Sequence, residues 1–234
     1  MEVGLPEGYV PSDRLQCVAL QPFFAGRNFM KRRVFAYVDG FNLYHAINEL
    51  GDPSLKWLDL WSLCEGICRQ QRGEILERVY YFSAYATWLP GPYARHRAYV
   101  SALQHSGVDV VLGQFKRRDR RCTRCQHTWY QHEEKETDVN IGVHLVRDAV
   151  RGAFDRAILI SADTDLNPAI RLARAEVSNA EIFIVAPPGR MSRARILNPS
   201  LELTRGRLRK ALFPEFIYDK NGRIISTRPD EYDP

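Results

Sequence analysis

Apolar and polar positions along the chain follow two periods in turn. Five short apolar runs, Val34–Val38, Val79–Ser83, Val108–Leu112, Ala157–Ile160 and Ile182–Val185, read as strands buried on both faces. Between them, Phe41–Glu49, Leu58–Gln70, Tyr93–Gln104, Thr137–Val150 and Asn167–Ala175 carry helical spacing. Within Thr137–Val150, the residues Val139, Val143, Val146 and Val150 form an apolar stripe. Asp138, Gly142, Leu145 and Ala149 share a second face, which turns the carboxylate toward the sheet. Strand and helix in alternation predict an α/β protein: a mainly parallel central sheet covered by helices on both sides, in three layers.

The same pattern sets the expected boundaries. Residues 1–30, with Gly4, Pro6, Gly8, Pro11, Pro22 and Gly26, have no sustained period and read as an irregular N-terminal extension. Met30, directly before Lys31-Arg32-Arg33, would serve as an alternative start of translation. Residues 31–189 form the main domain, interrupted by an insert at 116–133. Residues 190–234 read as a C-terminal helical segment and tail, loosely packed from Pro214 onward. No apolar run reaches the ~18–20 residues that cross a bilayer, and the N-terminus lacks a secretory apolar core. A soluble, cytoplasmic protein is the expectation.

Four carboxylates fall where such a fold places chemistry. Asp39 follows the first buried strand, and Asp163 and Asp165 follow the strand at Ala157–Ile160. Ligands of open parallel sheets bind outside the carboxyl ends of the strands. Asp138 sits in the first turn of its helix, where the macrodipole favours a negative charge. Each alone has a structural explanation as a turn or helix-capping residue. Together they predict one acidic cleft. Carboxylates that converge in a partly desolvated cleft repel one another, and hard divalent cations such as Mg²⁺ or Mn²⁺ relieve that repulsion.

The runs Tyr37-Val38-Asp39-Gly40-Phe41-Asn42-Leu43-Tyr44, Glu134-Lys135-Glu136-Thr137-Asp138-Val139 and Leu159-Ile160-Ser161-Ala162-Asp163-Thr164-Asp165-Leu166 resemble the motifs of NYN domains. These belong to the PIN-like nuclease superfamily and often occur as bacterial stand-alone proteins. The resemblance covers about Lys31 to Val185 and implies a PIN-like α/β/α fold, an acidic Mg²⁺ or Mn²⁺ centre and endoribonuclease activity. On that mapping Asp39, Asp138, Asp163 and Asp165 are catalytic metal ligands, and Asn42 and Ser161 orient them or bind phosphate. The implied reaction is metal-assisted hydrolysis of RNA that leaves 5′-phosphate and 3′-hydroxyl ends. Ala162 stands where family members usually carry Gly, and Leu166 where Phe is common. Phosphatases of the haloacid dehalogenase type want a second Asp two positions after the first, where this chain has Phe41. Toprim-like nucleases want Glu in place of Asp39. The rival from another class is an RNA-binding or regulatory module on the same fold.

The insert adds a second chemistry. Lys116, Arg117, Arg118, Arg120, Arg121 and Arg124 sit beside Trp129 and Tyr130, combining cations for phosphate with rings for stacking. Arg117, Arg118, Arg121 and Trp129 are the expected RNA contacts. Cys122 and Cys125 have metal-ligand spacing, with His127 and His132 as candidate partners for structural Zn²⁺ and Glu133 or a residue of another chain as the alternative fourth ligand. The net charge of +5 is modest, yet 27 of the 33 basic residues are Arg, the better phosphate fork. The five cysteines do not form a disulfide framework. RNA, single-stranded or in structured loops, is the expected partner, with no membrane and with homo-oligomerisation open.

Overall fold

The computed structural model describes residues 31–68, 73–176 and 181–233. The expected extension, the start at Met30, Cys17 and the end of the helix expected at Gln70 lie outside the described residues. Strand β1 (Arg32–Asp39) runs through the middle of a six-stranded parallel sheet. Strands β2 (Glu74–Ser83) and β3 (Asp109–Leu112) lie to one side of it. Strands β6 (Arg156–Ile160), β7 (Glu181–Ala186) and β8 (Leu201–Glu202) lie to the other, giving the order β3-β2-β1-β6-β7-β8. Alternate residues of β1 enter different cores, as the two-residue period of a strand requires. Val34, Ala36 and Val38 pack with α1 (Gly40–Asn48), α2 (Leu60–Glu65) and α3 (Pro90–His105). Phe35 and Tyr37 pack with α4 (Thr137–Val150) and α5 (Asn167–Glu176). The three-layer α/β arrangement is therefore as expected.

Three local expectations are corrected. First, the Val stripe of α4 faces water: Val139, Val143 and Val150 are 67%, 58% and 61% exposed. The buried face is Ile141, Leu145, Asp148 and Ala149. This face prevails because its polar member is satisfied: the Tyr37 hydroxyl donates to Asp148 Oδ2 at 2.9 Å, and Arg147 Nε donates to Oδ1 at 2.8 Å. Second, α2 starts only at Leu60. Asp59 caps it through the N–H groups of Trp61 and Ser62, while Leu58 bridges to Leu212. Third, the C-terminal tail is not loose. Short α6 (Arg205–Arg209) leads to a hairpin of β9 (Phe216–Tyr218) and β10 (Ile224–Thr227). Phe213, Ile217 and Tyr232 enter the core, the Trp57 indole donates to Pro214 O at 2.8 Å, and the Ser226 hydroxyl donates to Ala98 O at 2.8 Å.

The insert is a β-hairpin of β4 (Gln114–Arg121) and β5 (Thr128–Lys135), whose strands pair only with each other. No helix among the described residues is long and apolar enough to cross a membrane.

At the amino edge of the sheet, charge is neutralised strand by strand. Fully buried Arg156 of β6 donates to Glu74 Oε2 of β2 at 2.8 Å, and Arg32 of β1 lies 3.4 Å from Glu74 and 3.6 Å from Glu181. Breaking a buried pair costs about 3–5 kcal/mol because one charge is left behind. Glu74→Leu should therefore lower the unfolding free energy by about 3 kcal/mol. The double variant Glu74→Leu/Arg156→Met should regain most of that loss in urea unfolding, and equal losses in both would contradict this view of the edge.

Candidate active site

The carboxyl edge of the sheet has the opposite character. Asp39, the last residue of β1, is 3% exposed. Its Oδ1 accepts the Asn42 N–H at 3.0 Å, which caps α1, and its Oδ2 accepts the Ser161 hydroxyl at 2.8 Å. Ser161 Oγ accepts the Asp163 N–H at 3.0 Å, and Asn42 Oδ1 accepts the Ala162 N–H at 3.2 Å. The end of β1, the start of α1 and the loop after β6 are thus sewn together by side chains. Gly40 is obligatory in this join, because a Cβ there would lie 2.6 Å from Phe82 O and from the Tyr81 ring. Asp163 in turn caps the short turn that follows, accepting the Asp165 N–H at 2.9 Å. The capping roles and the cleft position coexist in the same two residues.

Asp138 enters from the first turn of α4. Burial pushes the Asp39 carboxyl up to about 6; the Asn42 and Ser161 hydrogen bonds oppose this, and the charges of Asp138 and Asp163 add to it. The Asp138 carboxyl also rises to about 6, first through desolvation and then through Asp163, Glu134 and Asp165. The four aspartates expected from the sequence therefore share one field. Among the described residues, however, no group of three or more His, Cys, Asp or Glu stands ready to hold a metal ion. The donor set, all hard oxygen, suits Mg²⁺ or Mn²⁺ in chemistry.

Glu134 was not singled out from the sequence. Its Oε1 accepts the Thr137 N–H at 2.9 Å and the Thr137 hydroxyl, fixing the start of α4 from the end of β5. One residue, Glu136 with φ 82°, separates β5 from α4. Gly113 makes this joint possible, since a Cβ there would meet Lys135 O at 2.6 Å. The only sequence signal was the Glu-Lys-Glu-Thr-Asp run.

The hairpin separates the expected zinc ligands. The tip brings the Cys122 and Cys125 thiols into hydrogen-bonding reach, and the N–H groups of Cys125 and Arg124 lower the Cys122 pKa. His132 pairs with Arg117 in the strand ladder, well down from the tip, and stacks on Trp88 with centroids 3.7 Å apart. It is not brought together with the cysteines. His127 lies at the tip, parallel to Trp129 at 6.2 Å.

The Arg run alternates across the two hairpin faces. Arg118, Arg120 and Lys135 surround the single carboxylate of Glu133, leaving a net positive face. The Arg117 guanidinium lies 3.4 Å over the Tyr130 ring. Exposed Trp129 stands on β5 opposite Arg120. Arg121 closes the ladder opposite Thr128. Sequence reasoning missed a second set of rings: Phe41, Phe115 and Trp88 meet edge to face at 5.7 Å and 4.7 Å, and Trp88 continues to His132. They connect the residue two past Asp39 to the hairpin.

A curated relative, 6-hydroxy-3-succinoylpyridine 3-monooxygenase HspA of Pseudomonas putida, is 26% identical over 197 residues, covering 69% of this chain. The aligned part spans 62% of the length of that relative. A solved structure of a protein of unknown function from Vibrio parahaemolyticus is similar with a TM-score of 0.48 and 19% identity, covering 74% of this chain and 92% of its own. The NYN domain profile matches residues 33–197, from the first strand to beyond the last acidic loop. The chain belongs to the NYN domain family.

Proposed function

We propose that this protein is a divalent-metal-dependent endoribonuclease, with Asp39, Asp138, Asp163 and Asp165 as its catalytic centre. One observation carries the reading. At the carboxyl edge of a parallel sheet, burial raises the pKa of both Asp39 and Asp138; the charges of Asp138 and Asp163 add to this at Asp39, and those of Asp163, Glu134 and Asp165 at Asp138. Perturbed groups of this kind mark functional clefts. A Mg²⁺ or Mn²⁺ ion held by these aspartates would neutralise them, polarise a phosphate oxygen and lower the pKa of water.

The residues of the chain do the positioning. Ser161 and the Asn42 N–H hold both oxygens of Asp39, and Asn42 ties that arrangement to the loop bearing Asp163. Arg117, Arg118 and Arg121 supply phosphate contacts, and Trp129 and the Phe41–Phe115–Trp88 rings supply stacking for unpaired bases. Structural Zn²⁺ at Cys122 and Cys125, with His127 within the same tip, belongs to this proposal. His132, held on Trp88, does not. The second reading, an RNA-binding module without turnover, draws on the lack, among the described residues, of a ready-formed group of three metal ligands.

Three experiments test these statements. Asp39→Asn and Asp163→Asn should each reduce Mn²⁺-dependent cleavage of single-stranded RNA by at least ~100-fold with unchanged circular dichroism, since removed charge stabilisation costs about 3–4 kcal/mol. Undiminished activity in both would refute the centre, and binding without metal-dependent cleavage in the native protein would favour the second reading.

Asp39 also predicts a pH effect without metal. Its folded pKa, about 6, lies above the unfolded value of about 3.8, so its stabilising contribution is full below pH 4 and is lost as pH rises through 6. In chelator, Asp39→Asn should therefore melt several degrees above the native protein at pH 7.5, and the gap should shrink to about half at pH 5 and close below pH 4. A constant gap would contradict the buried charge.

Charge reversal of Arg117, Arg118 and Arg121 should weaken RNA binding and flatten its dependence on log salt by about 0.7 per lost contact. An unchanged slope would remove the hairpin from the interface.

A further inference from the structure

A cavity of about 180 Å³ opens one residue beyond Asp39. It lies between α1, α3 and the carboxyl ends of β1 and β2, with Gly40 in its wall. Rings stand in its wall among aliphatic side chains: Tyr44, Tyr81, Tyr99, Phe115 and Tyr232. An apolar cavity of about 150 Å³ accepts benzene, so this one has room for a single six-membered ring. A base pair or a folded segment of protein is too large.

The polar groups converge on one side. The Tyr81 hydroxyl and His96 Nε2 are 3.2 Å apart, and Ser83 adds a buried hydroxyl. Burial holds His96 neutral, with a pKa lowered to about 4, so the imidazole offers one donor and one acceptor. At the rim, Lys56 Nζ lies 5.3 Å from the Tyr44 ring centroid and 5.9 Å from that of Tyr232, and Arg95 pairs with Glu231 at 2.6 Å. Tyr44 is 45% exposed, so the mouth is open to solvent. Phe115 belongs both to the wall and to the ring series that reaches Trp88 and the hairpin. The contents required are therefore a planar ring with a hydrogen-bonding edge, bearing an anionic arm that emerges near Lys56.

We propose that this cavity is a base subsite, which receives one unpaired, pyrimidine-sized base of the RNA while the adjoining phosphate emerges at the rim near Lys56. The assignment rests on the nuclease reading for its substrate class and adds a cause of single-strand selectivity: a base must leave its stack and its partner to enter. A paired base cannot be accommodated by a one-ring cavity beside Gly40.

The test separates the subsite from the chemistry. Uridine 5′-monophosphate is titrated onto the full chain in chelator, and saturation transfer to its base protons is read by NMR. Transfer to H5 and H6 is expected. It should vanish in Ala86→Trp, which fills the cavity from its partly exposed wall, and affinity should fall about ten-fold in Tyr44→Ala, the usual cost of a lost base–ring stack. Mn²⁺ affinity, measured by electron paramagnetic resonance, should be unchanged in both variants. The proposal is overturned if Ala86→Trp keeps the base signal while melting like the native protein. It is also overturned if ribose 5-phosphate binds as well as the nucleotide, or if nicotinate, a free heteroaromatic acid, binds more tightly. Nucleotide binding that Ala86→Trp abolishes, in a protein that cuts no RNA with Mn²⁺, would sink the nuclease reading and leave the subsite standing. Metal-dependent cleavage without nucleotide binding would do the reverse.

Discussion

A carboxylate buried at the end of the central strand is the constraint on which the rest of the site depends. Asp39 is buried at the end of the central strand, and an ion there costs several kcal/mol unless donors replace water. Those donors come from the first turn of α1 and from the loop after β6, so two elements distant in sequence must meet at one atom pair. Satisfying Asp39 therefore also places Asp163, because the hydroxyl that donates to Asp39 accepts from the Asp163 N–H. The opposite edge of the sheet shows the alternative. There each buried acid meets an arginine, as Glu74 meets Arg156, and the charge is spent on holding strands together. At the carboxyl edge, Asp39 and Asp138 instead feel the charges of other carboxylates.

This division explains what was legible in the sequence. Strands such as Val34–Val38 and Ala157–Ile160 are apolar on both faces, so their period and the acids after them are visible in the order of residues. The hairpin was not visible as strands, because β4 alternates charges with charges and carries no apolar signal. Helix α4 shows a different limit. Two apolar stripes compete on it, and the choice is made by Tyr37, more than 100 residues away in sequence, which offers Asp148 a hydrogen bond. A local pattern cannot contain that information. Tail packing fails for the same reason: Trp57 and Ala98 accept partners from beyond residue 210, and nothing near Pro214 announces it.

Within the site, the aspartates were legible because chemistry restricts them to few residue types, whereas the residues that aim them were not. Glu134 and Gly113 matter through single contacts at the joint between β5 and α4. The ring series from Phe41 to His132 joins three separate segments, and none of its members belongs to a recognisable spacing. His132 illustrates the resulting ambiguity: spacing assigns it to the cysteines, and register assigns it to Trp88.

The hairpin has a narrow base and strands that pair only with each other. Its angle to α4 is set at Gly113, Glu134 and Glu136, while Cys122, Arg124 and Trp129 lie several residues farther out. Sequence drift at the tip thus has no route to the position of Asp138, and drift at the base has no need to alter the tip. Over evolutionary time the tip of the hairpin and its base can change independently, as two traits under separate selection within one continuous stretch of chain.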